Sequence, residues 1–174
     1  MPSLLGVDYR RDYEIHRYPL IVTVLVPLVA LVLQSWLPRA MGQWALFDLP
    51  LVITVYFALA RRSPVQGTVL GAFMGLFEDA LTHHAIGLNG IAKTVVGFLA
   101  ASMGMRIDVE NHLIRVMLNF VLSLVASAIY LFVARFMLGL EFEFLWIAEV
   151  IKAVDNALIA LILFPLLDRL QVRD

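Results

Sequence analysis

The chain has 174 residues, of which 61% are hydrophobic and 16% charged, with a net charge of -1 and a mean hydropathy of +0.88. Soluble domains run about 45–50% apolar and about 25% charged, so the composition points to lipid as the main solvent and excludes a broadly cationic nucleic-acid binder. Cysteine is absent, which excludes a disulfide framework, a zinc–thiolate centre and thiol chemistry.

The length fits one domain. Met1–Tyr18 is polar and carries both signs of charge. It lacks the form of a short basic region ahead of a cleavable signal, so the first apolar run is read as a retained helix. A helix needs about 20 residues to cross a bilayer core of about 30 Å, and six apolar runs separated by punctuation follow. The first helix is expected over Pro19–Leu37, closed by Pro38 and Arg39. The second covers Leu49–Ala60, with Asp48 as N-cap and Pro50 in the tolerated first turn. It is short for a full span unless Trp44–Phe47 belong to it. The third opens on Ser63-Pro64 and runs to Leu81, and the fourth covers Gly90–Met105 with Asn89 as its cap. The fifth covers Leu113–Leu138 and the sixth Leu145–Leu167.

The basic residues give an orientation. Arg10, Arg11, Arg17, Arg61, Arg62, Arg106, Arg115, Arg169 and Arg173 fall on one side of a six-helix arrangement, nine of the thirteen Lys and Arg residues. Arg39, Lys93 and Arg135 fall on the other side, and Lys152 lies inside the sixth helix. The positive-inside rule then places both termini in the cytoplasm. The expected layout is a cytoplasmic segment 1–18, an all-α domain of six transmembrane helices over 19–170, and a tail at 171–174.

Polar residues inside these helices mark the candidate sites. Gly67, Gly71 and Gly75 recur every four residues on the third helix, a face that allows close backbone approach, either within the chain or to a partner's helix. Glu78 and Asp79 end the third helix and Lys93 begins the fourth, so each opposes its own helix dipole. Pairing of Lys93 with Glu78 or Asp79 across the hairpin Gly87-Leu88-Asn89-Gly90 relieves both, or water and headgroups solvate them. If they pair, Lys93→Glu impairs assembly and an opposite swap at 78 or 79 partly restores it.

The sixth helix holds Glu149, Lys152, Asp155 and Asn156, most of them on one face. Arg115, Asn119, Ser123 and Ser127 form a second polar line on the fifth helix. Ionisable groups at membrane depth face the bundle or a wet cavity, so the two lines are expected to face each other or a common cavity, as a hydrogen-bonded core or a binding site. His83 and His84 lack a third well-spaced ligand. No nucleophile elbow, helical His-Glu-x-x-His pair or phosphate-cradling loop is present, and no catalytic, metal or cofactor site is expected.

The passage Gly71-Ala72-Phe73-Met74-Gly75-Leu76-Phe77-Glu78-Asp79-Ala80-Leu81, followed by Gly87-Leu88-Asn89-Gly90, resembles the rod shape-determining protein MreD family. The Asp48-Leu49-Pro50 start of the second helix and the turn Arg61-Arg62-Ser63-Pro64-Val65-Gln66-Gly67 are similar to that family as well. The resemblance implies a fold like the substrate-binding S components of energy-coupling-factor transporters, six helices around a central pocket. It also implies a non-catalytic scaffold in the bacterial inner membrane, within the elongation machinery that governs peptidoglycan synthesis and cell shape. Its implied partner is the bitopic protein MreC, with MreB, RodA and a class B penicillin-binding protein in the wider complex and lipid around it. The alternative is a small-molecule-binding S component of a transporter, with the two polar lines as its pocket. An intramembrane enzyme is disfavoured, because no nucleophile, base and orienting group assemble.

Overall fold

A computed structural model describes residues 18–41, 47–82, 85–107, 109–139 and 146–170, with the side chains at 20 and 38–41 left out. The segment 1–17 with Arg10, Arg11 and Arg17, the residues Trp44, His83, His84, Glu141 and Glu143, and the tail 171–174 lie outside the described residues. The described residues are helical, without strands: α1 (Leu20–Met41), α2 (Leu49–Arg61), α3 (Pro64–Thr82), α4 (Leu88–Gly104), α5 (His112–Phe136) and α6 (Trp146–Asp168). Two of these, α5 and α6, are long and apolar enough to cross a membrane.

The helix order follows the sequence runs, with two corrections. The first helix does not stop at Pro38 but continues to Met41. Pro38 has no N–H to offer the Gln34 carbonyl one turn back, so the continuation costs one backbone bond near the helix end. The fourth helix starts at Leu88 with Gly87 as its cap, at φ 103°, instead of using Asn89. That conformation is open to glycine without steric penalty.

The hub is α2. Thirteen residues give it a length of about 20 Å, and every side chain from Pro50 to Ala60 is buried. A helix that is apolar all round belongs at the centre, and α2 packs against all five other helices. Its start is set by Asp48, whose Oδ1 accepts a hydrogen bond from the Leu51 N–H at 2.8 Å, with Pro50 in the first turn.

The closest pairing is α3 with α4, and glycine makes it possible. A methyl group added at Gly67, Gly71 or Gly75 would overlap the carbonyl oxygens of Gly97, Lys93 and Asn89 respectively. The glycine face of α3 is therefore filled by α4 of the same chain. Large apolar side chains instead point outward: Ile21, Val65, Phe136, Trp146, Ile147 and Ile162 are each more than 70% exposed. Charge is distributed the opposite way, since Asp48, Glu78, Asp79 and Lys93 are all buried.

Candidate functional site

The bundle has two ends. Asp48 at the start of α2, Glu78 near the end of α3, Lys93 in α4 and Glu149 and Lys152 in α6 gather at the end holding the α3–α4 hairpin. Burial of Lys93 is nearly complete, at 1% exposure. Its ammonium has three protons to satisfy, and three oxygens surround it. Asp48 Oδ2 lies at 2.8 Å, Glu78 Oε2 at 2.5 Å and Asn89 Oδ1 at 3.3 Å. Taking charges out of water carries a large penalty, which is offset only where partners satisfy them completely. Lys93 meets that condition with carboxylates from two other elements.

Asp79 does not take part in this ion pair. Its Oδ2 accepts from the Gly87 N–H at 2.8 Å and the Gly90 N–H at 3.3 Å. Its Oδ1 accepts from the Asn89 side-chain amide at 2.8 Å and backbone N–H at 3.3 Å. The residue ends α3 but serves as the cap of α4, where unpaired amides and the helix dipole favour an anion. Adjacent acids at 78 and 79 thus do different work: one balances a buried lysine, the other closes the hairpin.

Asp48 carries the network across the bundle. Its backbone N–H donates to Asn156 Oδ1 at 2.7 Å. Asn156 Nδ2 in turn donates to Ser123 Oγ at 3.1 Å, and the Asn156 carbonyl accepts from Asn119 Nδ2 at 3.0 Å. One connected polar chain therefore joins Glu78 on α3, Lys93 on α4, Asp48 at the head of α2, Asn156 on α6, and Ser123 and Asn119 on α5. Asn119 and Asn156 are fully buried. The network fixes how these five helices and their caps meet, and leaves Asn119 Oδ1 as a buried acceptor without a hydrogen-bond donor among the described residues.

Above the ion pair lies a cavity of about 420 Å³, lined by Gln34, Asp48, Glu78, Lys93, Ser127, Tyr130, Glu149 and Lys152 among others. The two polar lines on α5 and α6 thus meet through Asn119, Ser123 and Asn156, and face this cavity through Ser127, Glu149 and Lys152. Arg115 and Asp155 are not part of it. Asp155 is half-buried. Arg115 forms a two-pronged bond to Asp168 at the other end of the bundle, with Nη1–Oδ1 at 2.9 Å and Nη2–Oδ2 at 2.6 Å. Asp168 also accepts from the Tyr56 hydroxyl at 2.8 Å, and the Tyr56 and Tyr18 hydroxyls are 2.9 Å apart. This second cluster ties the start of α5 and the end of α6 to α2 and to the residue leading into α1.

Three contributors were missed from sequence. Asp48 was identified as a cap alone, although its second oxygen holds Lys93, 45 residues away. Gln34 clasps α1 to the head of α2, donating to the Phe47 carbonyl and accepting from the Leu49 N–H, both at 3.0 Å. Asp168, one residue beyond the expected end of the sixth helix, holds Arg115. A polar residue inside an apolar run was the available signal for Gln34. Among the described residues no group of three or more His, Asp or Glu is placed to hold a metal ion.

No curated protein and no solved structure matches the chain. The family model described as rod shape-determining protein MreD matches residues 15–172, a span covering all six helices and both polar clusters. The chain therefore belongs to the MreD family, whose role is in rod-shape determination.

Proposed function

We propose that this chain is a six-span scaffold subunit of the rod-shape elongation machinery in the bacterial inner membrane. It holds MreC directly, has both termini in the cytoplasm, and contributes to the control of peptidoglycan synthesis without a catalytic step of its own. MreB, RodA and a class B penicillin-binding protein are its wider complex. The observation that carries the membrane part is the inverted arrangement of the bundle. Asp48, Glu78 and Lys93 are buried and paired inside the bundle while large apolar side chains cover the outside, a distribution suited to lipid. Arg61, Arg62, Arg106, Arg115 and Arg169 all belong to one end of the helix order, and the positive-inside rule makes that end cytoplasmic. The scaffold part rests on membership of the family and on a bundle whose helices are tied into one unit by the Asp48–Lys93–Glu78 network.

A second reading has its own support. The cavity of about 420 Å³ with a polar lining has the size of a small-molecule site, and six helices around a pocket are similar to the S components of energy-coupling-factor transporters. Affinity purification of the tagged chain in mild detergent, followed by mass spectrometry of proteins and small molecules, separates the two. Recovery of MreC with cell-wall synthases and no stoichiometric small molecule is the expected result. Recovery of an ATPase module or of a bound vitamin would overturn the scaffold proposal in favour of a transporter subunit.

A further inference from the structure

A second hollow of about 680 Å³ runs along the outside of the bundle between α5 and α6. Among the described residues its walls are mostly apolar, with Leu124, Leu131 and Phe132 among them, and Ser127, Arg135, Trp146 and Glu149 also stand in it. Ser127 and Glu149 line both this groove and the central cavity, so Glu149 stands on the wall that the two share. Arg135 and Glu149 have no ionic partner among the described residues. We propose that this groove is a binding site for an aminophospholipid, with the acyl chain against the apolar wall, the phosphate at Arg135 and the ammonium at Glu149.

The charges select this occupant. An arginine guanidinium matches phosphate geometry, and a tryptophan at the same end suits the headgroup level of a bilayer. An anionic headgroup without an amine satisfies Arg135 but leaves Glu149 unpaired. Among the described residues of the cavity beyond the shared wall, Asp48 and Glu78 are balanced by Lys93 and Lys152, so Glu149 is the carboxylate left over and favours a cation. A choline headgroup carries the charge but has no N–H to donate to Glu149, so an ethanolamine-type headgroup is preferred over both. The volume falls within the range of known ligand sites. The inference rests on the proposal that the bundle spans a bilayer, and concerns the lipid alone, not the protein partner.

The test is native mass spectrometry of the purified, delipidated full chain titrated with palmitoyl-oleoyl phosphatidylethanolamine, phosphatidylcholine and phosphatidylglycerol. Phosphatidylethanolamine is expected to bind most tightly. Glu149→Gln should weaken it by about tenfold, the size of one lost charged hydrogen bond, and leave phosphatidylglycerol no weaker. Ala128→Trp, which fills the groove, should weaken all three lipids. Equal affinity of the unaltered chain for the three lipids would overturn the proposal without any variant. Wild-type phosphatidylethanolamine binding by either variant would overturn the assigned position. Membrane fractionation of the same chain tests the bilayer placement separately: recovery with the membranes together with equal lipid affinities removes the lipid site alone, and recovery in the soluble fraction removes both.

Discussion

Replacement of Lys93 by methionine isolates the energetics of the buried network. Methionine retains most of the side-chain volume and removes the charge. Asp48 and Glu78 are left facing each other without the cation they share, their side chains only 6% and 7% exposed. Removing one partner of a buried ion pair costs about 3–5 kcal/mol, because the remaining charge stays buried. Here two carboxylates lose the same cation, so the upper part of that range is expected. For a chain of this length each kcal/mol moves the melting temperature by about 2–4 °C, which places the loss at about 10 °C or more. The informative comparison is a triple variant, Lys93→Met with Asp48→Asn and Glu78→Gln. It has no buried charge to leave unpaired, and asparagine still caps α2. Thermal unfolding of the detergent-solubilised proteins, followed by loss of the monodisperse peak in size-exclusion chromatography, should rank wild type above the triple variant and the triple variant well above Lys93→Met. A Lys93→Met protein that melts within about 2 °C of wild type, or a triple variant no better than the single one, would refute the ionic-core account.

Other substitutions probe the remaining contacts by the same melting assay. Charge reversal across the hairpin should fail to rescue: in Lys93→Glu with Glu78→Lys, the new glutamate still faces Asp48, and in Lys93→Glu with Asp79→Lys the new lysine meets the amides of α4. Recovery of wild-type melting by either swap would show that Asp48 is not a partner. Gly71→Ala should lower stability by about 1–3 kcal/mol, as overpacking does, because its methyl group meets the Lys93 carbonyl. Gly87→Ala has open space around it and should lose only about 1 kcal/mol from its left-handed backbone; the reverse order of these two would contradict the helix contact. Arg115→Lys breaks the two-pronged bond to Asp168 at a partly exposed site, and a loss of about 1 kcal/mol is expected. Gln34→Leu leaves the Phe47 carbonyl and Leu49 N–H without their partner, and should cost about 1–3 kcal/mol with faster hydrogen exchange at Leu49.

The helices were legible in the sequence because each apolar run is long and bounded by Pro, Gly, Asn or paired arginines. Asp48 with Pro50, and Ser63 with Pro64, fixed the starts of α2 and α3 to within a residue, since capping is a local property. The start of α4 was misplaced for the opposite reason. Its cap comes from Asp79 across the hairpin, so neither Asn89 nor any other neighbour reveals it. Lys93 was recognised as misplaced against its own helix dipole, and Glu78 is one of its partners. Asp48 escaped notice because a residue already explained as a cap gives no sign of a second role. The same applies to Arg115, which was grouped with Asn119, Ser123 and Ser127 by spacing on one helix. Asp168 lies 53 residues further along, and only the folded bundle brings the two together. Periodicity assigns a residue to a face; it does not say which end of the partner helix that face meets.

The most direct test of a role in rod shape is depletion of the endogenous MreD-family protein in a rod-shaped bacterium, with this chain supplied from a second promoter and cell aspect ratio measured by microscopy. Cells without it are expected to round up, and expression of this chain is expected to restore rods. Rods that persist unchanged through depletion, or rounded cells that this chain fails to restore despite its accumulation in the membrane, would contradict the account.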